Sequence, residues 1–319
     1  MKIRKSLDLR NWEAAVKLTR EWELHAPHHT VTVADACERF IADAKARRLR
    51  EGSILKYEQS VKMLKGRFGN KTLREVSVDD IRSLRESWKI SALTMQKRLE
   101  TVKAFFKFCS ASGWLEKSPA ASVKGPEVKP GVTLPFSDEE IERIFDALER
   151  QYLAKHPASN ELTKKKIKAF LLVMLYSGIR ISDCVFLRKE RVQDGKLFIR
   201  NSHKTGVPIW VPLPAKVLEA LDEIGAANFY FTTGAGKVKT WTTEWEERLK
   251  KVFVLAKVPE GHSHMLRDTF SVNLLRRGRT IEDVAALLGN TVSVCEKHYS
   301  PWVGSRQQAL EEAVKAAWI

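Results

Sequence analysis

The sequence predicts a mainly α-helical chain in two units: a four-helix bundle, then an α+β domain whose β-structure is a small antiparallel hairpin. Three observations carry this expectation. Residues 31–125 hold four successive stretches in which apolar side chains recur at helical spacing behind capping residues. Residues 196–213 alternate as two strands around a polar turn. Between the bundle and the hairpin, residues 118–131 carry Pro119, Pro126 and Pro130 with Gly125 and Gly131 and no apolar period, the composition of a semi-extended linker. The expected division is a helical extension over 1–29, the bundle over 30–125, a linker over 126–136 and the second domain over 137–319.

The N-terminal extension permits a short helix through Trp12, Val16, Leu18 and Trp22, which His25-Ala26-Pro27-His28-His29 ends. His28-His29 lacks the i,i+4 spacing of a helical metal pair and no cysteine is near, so the stretch reads as a solvated linker. The first bundle helix is expected over 33–48, with Thr32 as cap and Ala36, Phe40, Ile41 and Ala44 inward. Ser53 is the expected cap of the second, with Leu55, Val61, Met63 and Leu64 inward and a basic turn over 66–71 after it. Ser77 opens the third through Ile81, Leu84 and Trp88. Ser91 or Thr94 opens the fourth, burying Leu99, Val102, Phe105 and Phe106.

In the second domain, Ser137-Asp138-Glu139-Glu140 forms a capping box before Ile141, Ile144, Phe145 and Leu148. Residues 152–168 read as an exposed, lysine-rich connection, and 171–176 as a buried apolar run. After the hairpin, helices are expected over 215–224 and 240–257, with a loop at Gly234-Ala235-Gly236 that lacks P-loop spacing. Thr280 caps a helix through Val284, Ala285 and Leu288. Residues 307–318 form a final amphipathic helix with Leu310, Val314 and Trp318 on one stripe.

A length of 319 residues and 44% apolar content suffice for two real cores. No segment approaches a membrane span, and no apolar stretch follows Met1-Lys2-Ile3-Arg4-Lys5 as a signal peptide would require. Cys37, Cys109, Cys184 and Cys295 are scattered and form no Cys-x-x-Cys pair, as reduced buried thiols do. A cytoplasmic, membrane-free protein is expected. The net charge of +16 points to a polyanion, although a merely soluble basic protein has the same balance. The excess concentrates in residues 31–130, with 21 basic against 12 acidic side chains. Arg47, Arg48, Arg50, Lys56, Lys62 and Lys65, followed by Arg67 and Lys71, gather around the first two helices and are the candidate contacts to a polyanion's phosphates.

Candidate chemistry lies in three places. The apolar run ends in Ser177-Gly178-Ile179-Arg180-Ile181-Ser182-Asp183, where Gly178 breaks the helix, Arg180 stands beside the core and Asp183 is placed to hold it. The hairpin turn carries Lys204. The stretch from His262 contains His264 and Arg267, three apart and so on one helical face, then Leu287-Leu288-Gly289-Asn290. Tyr299 follows on a short polar segment. A guanidinium beside an imidazole suits a phosphate: one forks onto oxyanions, the other handles a proton. Taken singly, Arg180 with Asp183 is equally a structural ion pair, His264 a core histidine and Tyr299 a packing residue.

Arg180, Lys204, His264-x-x-Arg267 and Tyr299, in this order and local context, resemble the tyrosine recombinase (phage integrase) family over about 137–302. The departure is Asn290, nine residues before Tyr299, where that family has His or Trp. The resemblance implies a SAM-like core-binding domain over 30–125 and an integrase-like catalytic domain after the linker. It implies a site-specific recombinase that cuts and rejoins DNA through a 3′-phosphotyrosyl intermediate, with no cofactor, metal or ATP. Tyr299 would then be the nucleophile, Arg180 and Arg267 the phosphate clamps, Lys204 the leaving-group acid, His264 a proton mover and Asn290 a neutral donor to a phosphate oxygen. Expected partners are double-stranded recombination or attachment sites and further copies of the chain, a dimer per site and a tetramer in synapse. DNA-bending or directionality factors would accompany them. Type IB topoisomerases use similar chemistry, and a DNA-binding regulator with a decayed site is the non-enzymatic alternative.

Overall fold

The computed structural model describes residues 12–17, 31–128, 134–199, 209–303, 311–312 and 314–318. The chain divides after Pro130 into two compact units. Within the extension, residues 12–17 are helical; His25, His28 and His29 lie outside the described residues.

The first unit holds α1 (Val33–Ala46), α2 (Glu51–Phe68), α3 (Val78–Glu86) and α4 (Ala92–Ala111). Thr32, Ser77 and Ser91 each accept a backbone N–H of the first turn that follows, satisfying donors a helix start leaves open. The second helix departs from expectation. It starts at Glu51 behind Arg50, with no side-chain cap, and not at Ser53. It also runs through Gly66 to Phe68, because Phe68 is buried with Val61 and Leu64, so the basic turn is shorter. Leu55 is 45% exposed: nine residues from Leu64 is a rotation of about 180° on the helix, the opposite face. Phe40 and Phe105 meet edge to face in the core, ring centres 5.7 Å apart, and Ala120 and Val123 join it from the following segment.

The second unit contains α5 (Asp138–Arg150), α6 (Tyr152–Lys155), α7 (Glu161–Ser177) and α8 (Ile181–Val185). Strands β1 (Val192–Gln193), β2 (Lys196–Ile199) and β3 (Ile209–Pro212) follow, then α9 (Ala215–Ile224), α10 (Val238–Leu255), α11 (Ser263–Arg276), α12 (Ile281–Leu288) and α13 (Val292–Tyr299). The three strands form one antiparallel sheet in the order β1-β2-β3, with Leu197 opposite Val211 and Ile199 opposite Ile209. The two-residue β1 was not expected, being too short to show a period. The fold is thus mainly helical with a small antiparallel sheet, as the sequence predicts.

Residues 152–168 are a solvated connection only in part: 157–158 and 160–162 are exposed, while both ends are packed. Tyr152 is buried, and Lys164 and Lys168 on α7 pair with Glu149 of α5 at 3.4 and 2.8 Å. Phe136, at the end of the expected linker, is buried in this unit, and its N–H donates to Thr269 Oγ1 at 2.9 Å.

Two apolar clusters make the unit's interior. The larger surrounds α7 and α10, where Phe170 stacks on Trp245 with ring centres 4.2 Å apart. The smaller joins Val272 and Leu275 of α11 to α12 and α13. Because Leu266 belongs to the larger cluster, α11 is held by both and cannot turn about its axis without exposing apolar surface. That fixes the direction of its polar side chains. Residues 311–312 and 314–317 are helical, with Val314 and Trp318 exposed; Leu310 lies outside the described residues. No described helix is long and apolar enough to cross a membrane.

Candidate active site

Two helix ends build the first half of the site. Helix α7 stops at Gly178 and α12 at Gly289, both left-handed with φ 62°, a conformation glycine adopts without Cβ strain. A side chain at Gly178 would also strike the Phe270 ring, 2.4 Å from the position of a Cβ. Past each glycine the chain leaves its helix and presents a polar residue. Arg180 Nη2 donates to Asn290 Oδ1 at 2.8 Å, joining positions 110 residues apart.

This corrects two expectations. The hydrogen-bond partner of Arg180 is Asn290 and not Asp183, because Arg180 is the N-cap of α8 and stands outside its helical turn. Asn290 presents its carbonyl oxygen to a guanidinium, so the amide positions a charge as well as offering its own donors. Its amide also lies against the Cys295 sulfur, whose thiol burial pushes up.

Arg267, 3% exposed, fills the space beneath. Nη1 donates to the Gly178 carbonyl and Nη2 to the Leu288 carbonyl, the latter at 2.8 Å. Both acceptors sit at helix C-termini, where carbonyls lack helical partners and the dipole is negative. Burial first, and then the neighbouring Arg180 charge, bring Arg267 down to about 10, so it is charged at neutral pH. Each Nη still has a second hydrogen, and Nε its own, for an oxyanion.

The short segment that carries Tyr299 is helical: the tyrosine is the last residue of α13, 3% exposed, with Cys295 one turn earlier on the same buried face. Its hydroxyl donates to Asp268 Oδ1 at 2.7 Å. Burial, with the adjacent Asp268 charge, drives the phenol well above its ordinary range against the pull of Ser271 and Arg267. His264, one helical turn before Asp268, has a 64% exposed side chain, and its Nε2 is 3.6 Å from the same Asp268 oxygen. His298 is exposed.

Asp268 is the residue sequence reasoning passed over. The signal was present: Asp268 follows Arg267 directly and lies four residues beyond His264, on a helix whose neighbours were already singled out. Lys204 lies outside the described residues, which resume on either side of it with β2 and β3.

In the first unit, Arg48, Arg50, Lys56 and Lys62 are exposed. Arg47 pairs with Asp43 at 3.3 Å and Lys65 with Glu38 at 2.9 Å, so these two charges are partly neutralised. Lys56 also borders a groove of about 340 Å³ between α2 and α4, whose far wall carries Lys97 and Arg98. The sequence reading missed that second basic wall, since it belongs to a helix some forty residues on, and only packing brings it beside α2.

The phage integrase family model matches residues 136–299, just over half of the chain and ending on Tyr299. The chain therefore belongs to the phage integrase family. It is an enzyme of the tyrosine site-specific recombinase class. A tyrosine recombinase of Thermosipho africanus is 26% identical over 205 residues, covering 62% of this chain and 68% of the relative. The tyrosine recombinase XerC of a Roseiflexus species is 26% identical over 236 residues, covering 68% and 72%. Among solved structures, a lambda integrase dimer bound to a COC′ core site has a TM-score of 0.66 at 16% identity, over 91% of this chain and 85% of that one. The Tn1549 transposon integrase with transposon right end DNA has a TM-score of 0.66 at 14% identity, over 88% and 100%. At those identities the structural likeness speaks for the fold.

Proposed function

We propose that Tyr299 attacks a DNA phosphodiester while Arg180 and Arg267 hold its non-bridging oxygens, leaving a 3′-phosphotyrosyl link and a free 5′ hydroxyl. One observation supports this most: a buried tyrosine hydroxyl, a buried arginine and an arginine–asparagine pair are gathered by the ends of α7, α12 and α13. The neighbouring Arg180 charge pulls Arg267 down, a repulsion between two cations that an anion relieves, and a phosphorane carries that negative charge. Lys204 is assigned the protonation of the departing O5′, and His264 proton movement at the solvent side. The phosphotyrosyl ester retains the bond energy, so religation to another strand needs no ATP.

The substrates are double-stranded recombination or attachment sites, bound by the first unit through Arg47, Arg48, Arg50, Lys56, Lys62 and Lys65. The lambda integrase neighbours include a tetramer on a Holliday junction; by extension this chain works as a dimer per site and a tetramer in synapse, with accessory factors setting direction. Such work belongs with the nucleoid in the cytoplasm, in the service of a mobile element. The reading is tested with nicked duplexes drawn from the DNA flanking the coding sequence, in EDTA. A covalent protein–DNA adduct resistant to detergent is expected, and DNA bound without adduct on every such duplex would overturn it. Relaxation of plasmid lacking any such site would instead favour a topoisomerase.

Asn290→Ala is expected to slow single-turnover cleavage by roughly 10- to 150-fold. It removes a hydrogen bond to a charged group, worth about 1.5–3 kcal/mol, and frees Arg180 to swing. Asn290→His keeps an acceptor nitrogen and should cleave within about tenfold of the parent. Equal loss in both variants would show that the amide does more than orient Arg180.

Replacing Arg47, Arg48 and Arg50 by Gln should weaken binding to all duplexes alike. Removing one side chain that neutralises a phosphate flattens the slope of log K against log salt by about 0.9. Since Arg47 shares its charge with Asp43, a flattening of about two is expected from the three. An unchanged slope would place these side chains away from DNA.

A further inference from the structure

We propose that Asp268 is a further catalytic residue, the acceptor of the Tyr299 phenolic proton during attack; this rests on Tyr299 being the nucleophile. The geometry is direct. The hydroxyl donates to Asp268 Oδ1 at 2.7 Å, within the reach a general base needs. Both residues are buried, at 3% and 6% exposure, so bulk water is poorly placed to take the proton instead. His264 Nε2 is 3.6 Å from the same oxygen, with its side chain largely exposed. From that separation a small rotation of the imidazole reaches hydrogen-bond distance and completes a path to solvent.

The groups facing this carboxylate are Tyr299 from α13, and His264 and Arg267 from its own helix, with His262 and His298 beyond His264. No described lysine or arginine is within ion-pair distance of Asp268. Such a partner would tie up the lone pairs; here they face the nucleophile. A buried phenol whose ionisation is opposed by its surroundings gives a vanishing phenolate fraction at neutral pH, so the proton must leave as the bond forms. In that step the Tyr299 O–H bond breaks and its proton passes to Asp268 Oδ1. The freed electron pair makes the bond from Oη to phosphorus. The bond from phosphorus to O5′ breaks, and O5′ takes a proton from Lys204 or water. Asp268 then returns its proton through His264, and rejoining runs the same transfers in reverse.

The test is single-turnover cleavage of nicked duplexes drawn from the DNA flanking the coding sequence. Asp268→Asn is isosteric and expected to lose about 10²–10⁴-fold. Its residual rate should rise with pH, because phenolate must now come from solvent hydroxide. A fluorinated, more acidic tyrosine at position 299 should relieve the loss in Asp268→Asn more than it changes the parent. A purely structural role predicts a loss that neither pH nor the acidic tyrosine relieves, and that result overturns the proposal. So does cleavage by Asp268→Asn within about threefold of the parent with an unchanged pH profile, and so does faster cleavage, which would make Asp268 a restraint on the tyrosine.

A second measurement needs no variant. With a sulfur leaving group at the 5′ position, the proton in flight is the phenolic one, so the parent should show a normal solvent deuterium isotope effect. Its absence overturns the assignment even where Asp268→Asn does not fold. Tyr299→Phe separates the two levels of argument: an adduct in the parent that survives this change removes the proposed nucleophile, whereas an adduct lost with Tyr299→Phe but indifferent to Asp268 removes the present inference alone.

Discussion

Tyr299→Phe is expected to bind duplex DNA as the parent does and to form no covalent adduct. The change deletes one oxygen from a buried residue of the smaller apolar cluster, so the shape of that core is kept. Removing the nucleophile from an assembled site costs on the order of 10⁶-fold in a serine protease, and a loss of that order places residual cleavage below detection. Stability moves as well, in a direction that can be read from the site. The phenol is raised above its free value of about 10. The folded chain therefore holds this proton at alkaline pH while the unfolded chain releases it. The parent's contribution from this group is fully present below about pH 10 and is lost as pH rises further. Tyr299→Phe has no such proton, so its melting temperature should fall less than the parent's between about pH 9 and 11. Near neutrality it should be the less stable, by about 1–3 kcal/mol, because a buried carboxylate loses its donor. A covalent adduct in this variant, or a steeper alkaline loss than the parent's, would contradict both the role and the burial assigned to the hydroxyl.

How much of this was legible in the sequence depends on the range of the interaction. Caps are local, and Thr32, Ser77, Ser91, Ser137 and Thr280 all cap as their patterns indicate. The hairpin was legible because Leu197 and Val211 lie on opposing strands of one alternating pattern. Helix α13 was not, since it spans two turns, carries β-branched Val292 and Val294, and buries only Cys295 and Tyr299; eight residues are too few to establish a period. The chemical types were legible too, but the partnerships were not. Arg180 with Asn290 and Tyr299 with Asp268 span 110 and 31 residues, and spacing along the chain carries no information at that range. The nearest carboxylate in sequence, Asp183, was accordingly the wrong partner to assign to Arg180. Lys97 and Arg98 escaped notice beside Lys56 for the same reason.

Arg267→Ala is expected to cost cleavage about 10³–10⁵-fold, the range seen when a guanidinium is withdrawn from a phosphoryl-transfer transition state. It should cost more than Asn290→Ala, because it removes a charge and not only the orientation of one. The loss has two sources that experiment can separate. Arg267 supplies positive charge where the phosphorane develops negative charge. It also bonds the Gly178 and Leu288 carbonyls, and so ties together the helix ends that present Arg180 and Asn290. Alanine leaves both carbonyls without that partner, at about 1–3 kcal/mol each, so the melting temperature should drop measurably. Arg267→Lys distinguishes the roles. An ammonium restores the charge but is a compact point donor that cannot reproduce the planar fork across two carbonyls and a phosphate. Lysine should therefore recover part of the stability and little of the cleavage, remaining within about tenfold of alanine. Arg267→Lys cleaving as the parent does would show that charge alone suffices there. Arg267→Ala cleaving within tenfold of the parent, folded and bound to DNA, would place Arg267 among the structural arginines and leave the phosphate to Arg180.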